Sequence, residues 1–239
     1  VDIAGNLSVD GGTIKLDGNY PVGTDNVALG DTALDSNVSG VNNTAVGSKA
    51  LTANTASDNT AVGTEAAAAN TSGTANSIVG KRAFYTNTTG SNNSVLGAFS
   101  LFNNTSGGSN TAVGTSALQS NTTASNNVAV GYQAGYANTT GTQNTALGKG
   151  AMYSNTTSNE NTAVGYQALY LNPTGAENVA VGRNALYSNL SSYNTAVGRA
   201  ALTGNTTGNS NTAVGTSALG TNTTASNNTA VGYQAGFSN

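Results

Sequence analysis

The chain has no cysteine, no histidine and no tryptophan, only two prolines and one methionine, and just 7% of its 239 residues are charged. Each shortage removes a class of chemistry. Without Cys there is no disulfide framework, and without Cys or His the usual soft-metal ligands and nucleophile–base pairs are missing. An ordinary soluble domain carries roughly 25% charged residues. Here the net charge is −3 with no basic cluster, so no nucleic-acid partner is expected. No run of 18 apolar residues occurs, so no membrane insertion of this segment is expected. The scarcity of Pro and of charge also argues against a disordered chain. What remains is Ala, Val, Thr, Ser, Asn and 31 Gly, an alphabet of β-structure and turns. The chain starts at Val1 without Met and ends at Asn239 partway through a repeat; the expectation is a section of a longer polypeptide.

Internal repetition dominates the sequence. The pattern Asn-x-Ala-Val-Gly begins at Asn26 and recurs every 17 residues through Asn228, with 16-residue steps after Asn43 and Asn178. Both short steps lose their residue between a late Asn and the next start, where a turn tolerates deletion. A 17-residue period is too short for helix-pair repeats, which need roughly 33–47 residues. It fits one coil of an all-β solenoid with two short strands. About 13 coils at ~4.8 Å each give a rod of roughly 60 Å over residues 26–239.

Each repeat position has a physical reading. Alternation puts the third residue after the opening Asn, such as Val113 or Val130, on one strand face with the Thr, Ser or Val two before it. The intervening Ala112 and Ala129 face the other way. One coil offers a thin core of a Val, a Leu and a few small residues, so these Ala are expected to line a contact between chains of a homotrimer. Gly114 and Gly131 close the strand, as Gly does where φ is positive or no side chain fits. The Ala-Leu pair, as in Ala117-Leu118, is assigned to the second strand. Asn121, Asn138 and Asn155 belong to a column of late Asn residues. These serve as turn formers or, stacked at one corner, as an amide ladder.

Residues 1–25 read differently. Two alternating runs, Gly5–Val9 and Thr13–Leu16, flank Asp10-Gly11-Gly12, which predicts a β-hairpin lead-in.

The sequence offers no catalytic, cofactor-binding or metal-binding constellation. Ten carboxylates remain, and Glu160 and Glu177 share a repeat position one coil apart. They flank a polar turn with no apolar pocket in the pattern, so solvated rim charges are expected rather than a glycosidase pair. The aromatics are more suggestive. Tyr136, Tyr153, Tyr170 and Tyr187 occupy one position in four consecutive coils, and Tyr132, Tyr166 and Tyr233 recur at another. The first column either contacts sugar rings of a surface glycan or packs over the Leu column and between chains. Arg183 and Arg199, one coil apart, are expected to be solvated or paired with a neighbouring chain.

The phrases N-N-T-A-V-G, N-N-V-A-V-G (126–131) and E-N-V-A-V-G (177–182) resemble the N-S-V-A-I-G repeats of YadA-like head domains in trimeric autotransporter adhesins. The resemblance covers residues 26–239. It implies a left-handed parallel β-roll with three rolls around an axis. The lead-in G-N-L-S-V-D-G-G-T-I-K-L-D-G-N-Y-P looks like the segment that precedes such repeats in tail-fibre proteins of marine bacteriophages. Together these imply a non-enzymatic structural and adhesive segment of a virion tail fibre. Its implied partners are two further copies, other tail proteins and a host-surface glycan or protein. The alternative is a bacterial surface adhesin, and an ice-binding solenoid is a third reading motivated by the Thr-rich N-T-T turns.

Overall fold

The computed structural model describes residues 24–238; the hairpin expected at 5–16 lies outside them. Thirteen three-residue strands, from β1 (Val27–Leu29) to β13 (Thr229–Val231), form one parallel sheet in chain order. The described residues contain no helix. The fold is an all-β solenoid with one strand per 17-residue coil. The two short coils leave the sheet undisturbed. β2 (Thr44–Val46) pairs with β3 (Thr60–Val62) as Ala45↔Ala61, and β10 (Val179–Val181) pairs with β11 (Thr195–Val197) as Ala180↔Ala196. The missing residue is absorbed between the late Asn and the next start, as the sequence indicates.

Two expectations need correction. The first concerns which strand face is inside. Ala112 and Ala129 are completely buried within their own coils, whereas Val113 is only partly covered and Val130 is exposed. Along Asn-Thr-Ala-Val, the Asn and Ala point inward and the Thr and Val outward. The interior is narrow. The strand-centre Ala meets the Leu column directly across it, so a Cβ built on Gly135 would lie 2.9 Å from Leu118 Cδ2 and 3.7 Å from Ala129 Cβ. That gap has room for Ala against Leu, and the Ala column is therefore core within one chain, not a seam between chains.

The second correction concerns the Ala-Leu segment, which is not a strand. It consists of two consecutive turns: Ala117 N–H donates to Gly114 O at 3.1 Å and Asn121 N–H to Leu118 O at 3.1 Å. Ser116 and Leu118 hold φ of 59° and 49°, a region few non-Gly residues adopt. Bonds between coils hold the segment there, such as Leu118 N–H to Ala134 O at 3.0 Å. Glycine stands at the equivalent positions in Gly135, Gly150 and Gly236, with φ of 59°, 64° and 59°.

The Leu column is uneven but filled. Ala67 takes a Leu position and is fully buried, and Phe84, one coil on, is the bulkiest fully buried side chain. The sequence marks coil 59–75 as a gap to be filled. The structure instead pairs a small residue with a large neighbour, here and at Gly135, over which Leu118 leans. At the strand end, Gly114 has φ +128°, and a Cβ there would lie 2.6 Å from Gly131 O. Both its conformation and the close approach of successive coils require glycine.

Candidate functional site

Three side-chain columns run along the rod, and each is set by position within the coil. The first is internal. Asn121, Asn138 and Asn155 form an amide ladder: Asn138 Nδ2 donates to Asn121 Oδ1 at 3.0 Å and Asn155 Nδ2 to Asn138 Oδ1 at 2.9 Å. Each also spans its own turn, as Asn87 does by donating to Gly90 O and accepting from Gly90 N–H, both at 3.1 Å. The opening Asn residues form a second ladder, with Asn127 N–H donating to Asn110 Oδ1 at 3.0 Å. These amides are buried, so the ladders satisfy groups that would otherwise be costly. Turn formation and ladder formation are performed by the same side chain.

The second column is the outward face of the sheet. Val/Leu side chains line one edge and Thr, Ser or Val the other. Leu29, Val79, Leu96, Val130 and Val197 are all exposed. No charged residue falls within the strands.

The third column carries the aromatics, on the side of the coil opposite the strand. Tyr136, Tyr153, Tyr170 and Tyr187 stack face to face with centroids 5.0, 5.0 and 5.2 Å apart and planes within 11°. The coil rise of about 4.8 Å dictates this spacing. The faces of Tyr153 and Tyr170 are therefore occupied by neighbouring rings, and the ladder offers edges and hydroxyls rather than a platform for sugars. Burial holds the Tyr170 phenol above its ordinary pKa, with Tyr153 and Tyr187 adding to the shift. Tyr85 and Phe102 make a second stack at 5.3 Å.

Beside the aromatic column lies a row of alternating character. Lys149 Nζ stands 5.7 Å from the Tyr132 ring and the Arg183 guanidinium 5.9 Å from Tyr166. Arg183 thus leans on an aromatic of its own chain. Glu160 and Glu177 are exposed at the turn before each strand, with φ of 58° and 56°. Among the described residues no group of His, Cys, Asp or Glu is arranged to hold a metal ion, and no helix is long and apolar enough to cross a membrane.

Sequence reasoning missed a recess of about 350 Å³ lined by Lys49, Thr52, Glu65, Ala68, Ala69 and Tyr85. Glu65 is bonded to Arg82 Nε. That hydrogen bond from Arg82 holds the Glu65 carboxyl below its ordinary pKa against a smaller opposing effect of burial, and the charges of Arg82, Lys49 and Lys81 add to it. The available signal was Ala68 at an aromatic position next to Tyr85.

No protein-family model matches the chain, and neither a curated protein nor a solved structure matches it.

Proposed function

We propose that the rod is a non-enzymatic structural and adhesive fibre segment in which three copies pack through the outward sheet face, as part of a virion tail fibre that meets a host surface. The exposed Val/Leu column carries this reading. Twelve steps of about 4.8 Å, with the two outward columns about 7 Å apart, make an uncharged strip of about 400 Å², one column of it Val or Leu and the other mostly Thr or Ser. A second copy matches it in pitch, because every coil presents one Thr, Ser or Val and one Val or Leu at the same spacing. The Ala column is core, so the contact between chains moves to Val113, Val130 and their equivalents. The virion assignment rests on the resemblance of the repeats and lead-in. A bacterial surface adhesin would share the same rod and would differ by a membrane-anchoring barrel elsewhere in its polypeptide.

Sedimentation equilibrium tests the assembly. Three times the chain mass is expected for the parent, and a single chain mass for Val113→Lys with Val130→Lys. A monomeric parent, or a double variant that stays trimeric, would overturn the reading.

One observation favours an ice-binding alternative. Thr111, Thr145 and Thr162 form an outward rank on the parallel sheet, although the sequence-based expectation tied ice binding to the turns. Val128 and Val179 interrupt that rank. No thermal hysteresis is expected from the parent protein, and a measurable value would favour this alternative.

A further inference from the structure

The aromatic column lacks a ring at Asp35, Thr52, Ala68, Gln119, Thr203 and Gly220, and the level at Ala68 lies beside a charged rim. Tyr85 gives one face to Phe102 in a near-parallel stack, 8° between planes. On its other side the next coil supplies Ala68 at the ring position, and the coil beyond supplies Thr52. Two coil steps separate Thr52 from Tyr85, about 9.6 Å, which is the depth of one additional ring in a ladder whose spacing is 5.0–5.3 Å. At Gly220 the level is not left open: the Phe237 ring folds over it, within 2.8 Å of where its Cβ would be.

We infer that the recess over Ala68 binds one uncharged pyranose ring of a glycan, its C–H face stacked on Tyr85 and its hydroxyls held between Glu65 and Lys49. The rim offers both kinds of partner a sugar needs. Glu65 is a carboxylate held ionised by Arg82, and accepts; Lys49 donates. Charges of opposite sign at one opening suit a ring bearing many hydroxyls better than a ligand of single charge. The Arg82 guanidinium, bonded to Glu65, lies over the Tyr85 ring with its Cζ 5.7 Å from the centroid, so a bound sugar shares the ring with that cation. None of the residues that line the recess lies in a strand of the sheet. The inference rests on the surface-contact reading only for the choice of ligand class.

Saturation-transfer NMR on the full chain, with methyl β-D-glucopyranoside, methyl β-D-galactopyranoside and methyl α-D-mannopyranoside as probes, tests it. Saturation of ring C–H protons is expected for at least one probe, with a shift of the Tyr85 ring signals. Ala68→Tyr, which continues the ladder through the recess, should abolish both. Tyr85→Leu, which removes the stacking face, should abolish the saturation if the first variant folds poorly. Silence with all three probes, or saturation unchanged in both variants, overturns the inference. Sedimentation of the same samples separates the two readings. A trimer that ignores the probes defeats the recess alone, and a monomer that binds them defeats the fibre assembly alone.

Discussion

Coils 59–109 and coils 127–193 are built from the same columns, and both vary along the Leu column, yet they differ at the strand centre and in the amide ladder. In the first stretch the core varies: Ile78 and Val95 replace Ala at the strand centre, and Ala67 is followed by Phe84. Its amide ladder is unbroken, with Asn70, Asn87 and Asn104 donating at 2.7, 2.6 and 2.8 Å. In the second stretch the strand centres are uniformly Ala and four tyrosines stack without a gap. There the ladder is diverted: the Ser158 hydroxyl bonds Asn155 Oδ1, and Asn172 Nδ2 reaches Ser158 Oγ at 3.5 Å instead of the preceding Asn. Apolar filling and polar stacking therefore vary independently along the rod. Each coil needs a closed core and a satisfied Asn, but the two conditions are met by different residues.

The largest effect should come from breaking the ladder where it is continuous. Asn87→Ala orphans the acceptor of Asn70, one donor of Asn104 and the Gly90 N–H, while Gly90 O keeps its bond from Asn76. At about 1–3 kcal/mol per buried orphan, the loss should be several kcal/mol in urea denaturation. Asn155→Ala should cost less, because Ser158 already stands in for one partner. Equal losses at the two sites would show that Ser158 contributes nothing to the ladder.

Next in size is the core. Ala67→Leu should destabilise by about 1–3 kcal/mol through overpacking, and adding Phe84→Leu should recover most of that by restoring the ordinary column. Independent, additive effects in this double-mutant cycle would mean that the two positions do not share space.

The aromatic ladder comes third. Tyr153→Ala removes two stacks, and at about 0.5–1.5 kcal/mol each beyond area it should cost more than Phe102→Ala, which removes one parallel stack. Tyr170 adds a pH signature. Its folded pKa is raised, so its contribution is complete below the unfolded phenol value and is lost as pH rises through the folded value. The melting temperature should fall above about pH 10, and Tyr170→Phe should flatten that decline while keeping the stack.

The smallest effect belongs to Glu65. Its folded pKa is lowered, so its contribution is present above the unfolded carboxyl value and disappears as pH falls through the folded one. Arg82 is 44% exposed, and salt should weaken the pair. A slight acid-side loss of melting temperature, absent in Glu65→Gln, is the expected readout.

Much of this was legible in the sequence, for a physical reason. A solenoid repeats its constraints every coil, so the Gly at each strand end, the late Asn and the site of each deletion all reveal themselves by recurrence. Periodicity does not say which face is inside. Assigning the larger Val to the core ignored its partner on the same face, which is Thr, while Ala shares its face with the Asn that every coil retains. The left-handed turns at the Ala-Leu segment were also missed, since Leu118 at φ 49° contradicts local preference. Gly135, Gly150 and Gly236 were the available clue, as glycine replaced a larger residue where φ is positive. The recess at Ala68 was invisible because it is defined by a side chain that is missing from a column.

The register that survives a lost residue at β2–β3 and β10–β11 has a genetic consequence. Residues 110–118, Asn-Thr-Ala-Val-Gly-Thr-Ser-Ala-Leu, recur unchanged at 211–219, and Gly-Tyr-Gln-Ala-Gly at 131–135 recurs at 232–236. The two blocks lie on either side of a short coil and have the same geometry: Leu118 leans on Gly135 and Leu219 on Gly236, each 2.9 Å from the would-be Cβ. Unequal crossover between such blocks changes the number of coils without changing how any coil meets its neighbour. Length is then a heritable trait that drifts in whole steps of about 4.8 Å, and a lineage can lengthen or shorten its reach by recombination alone.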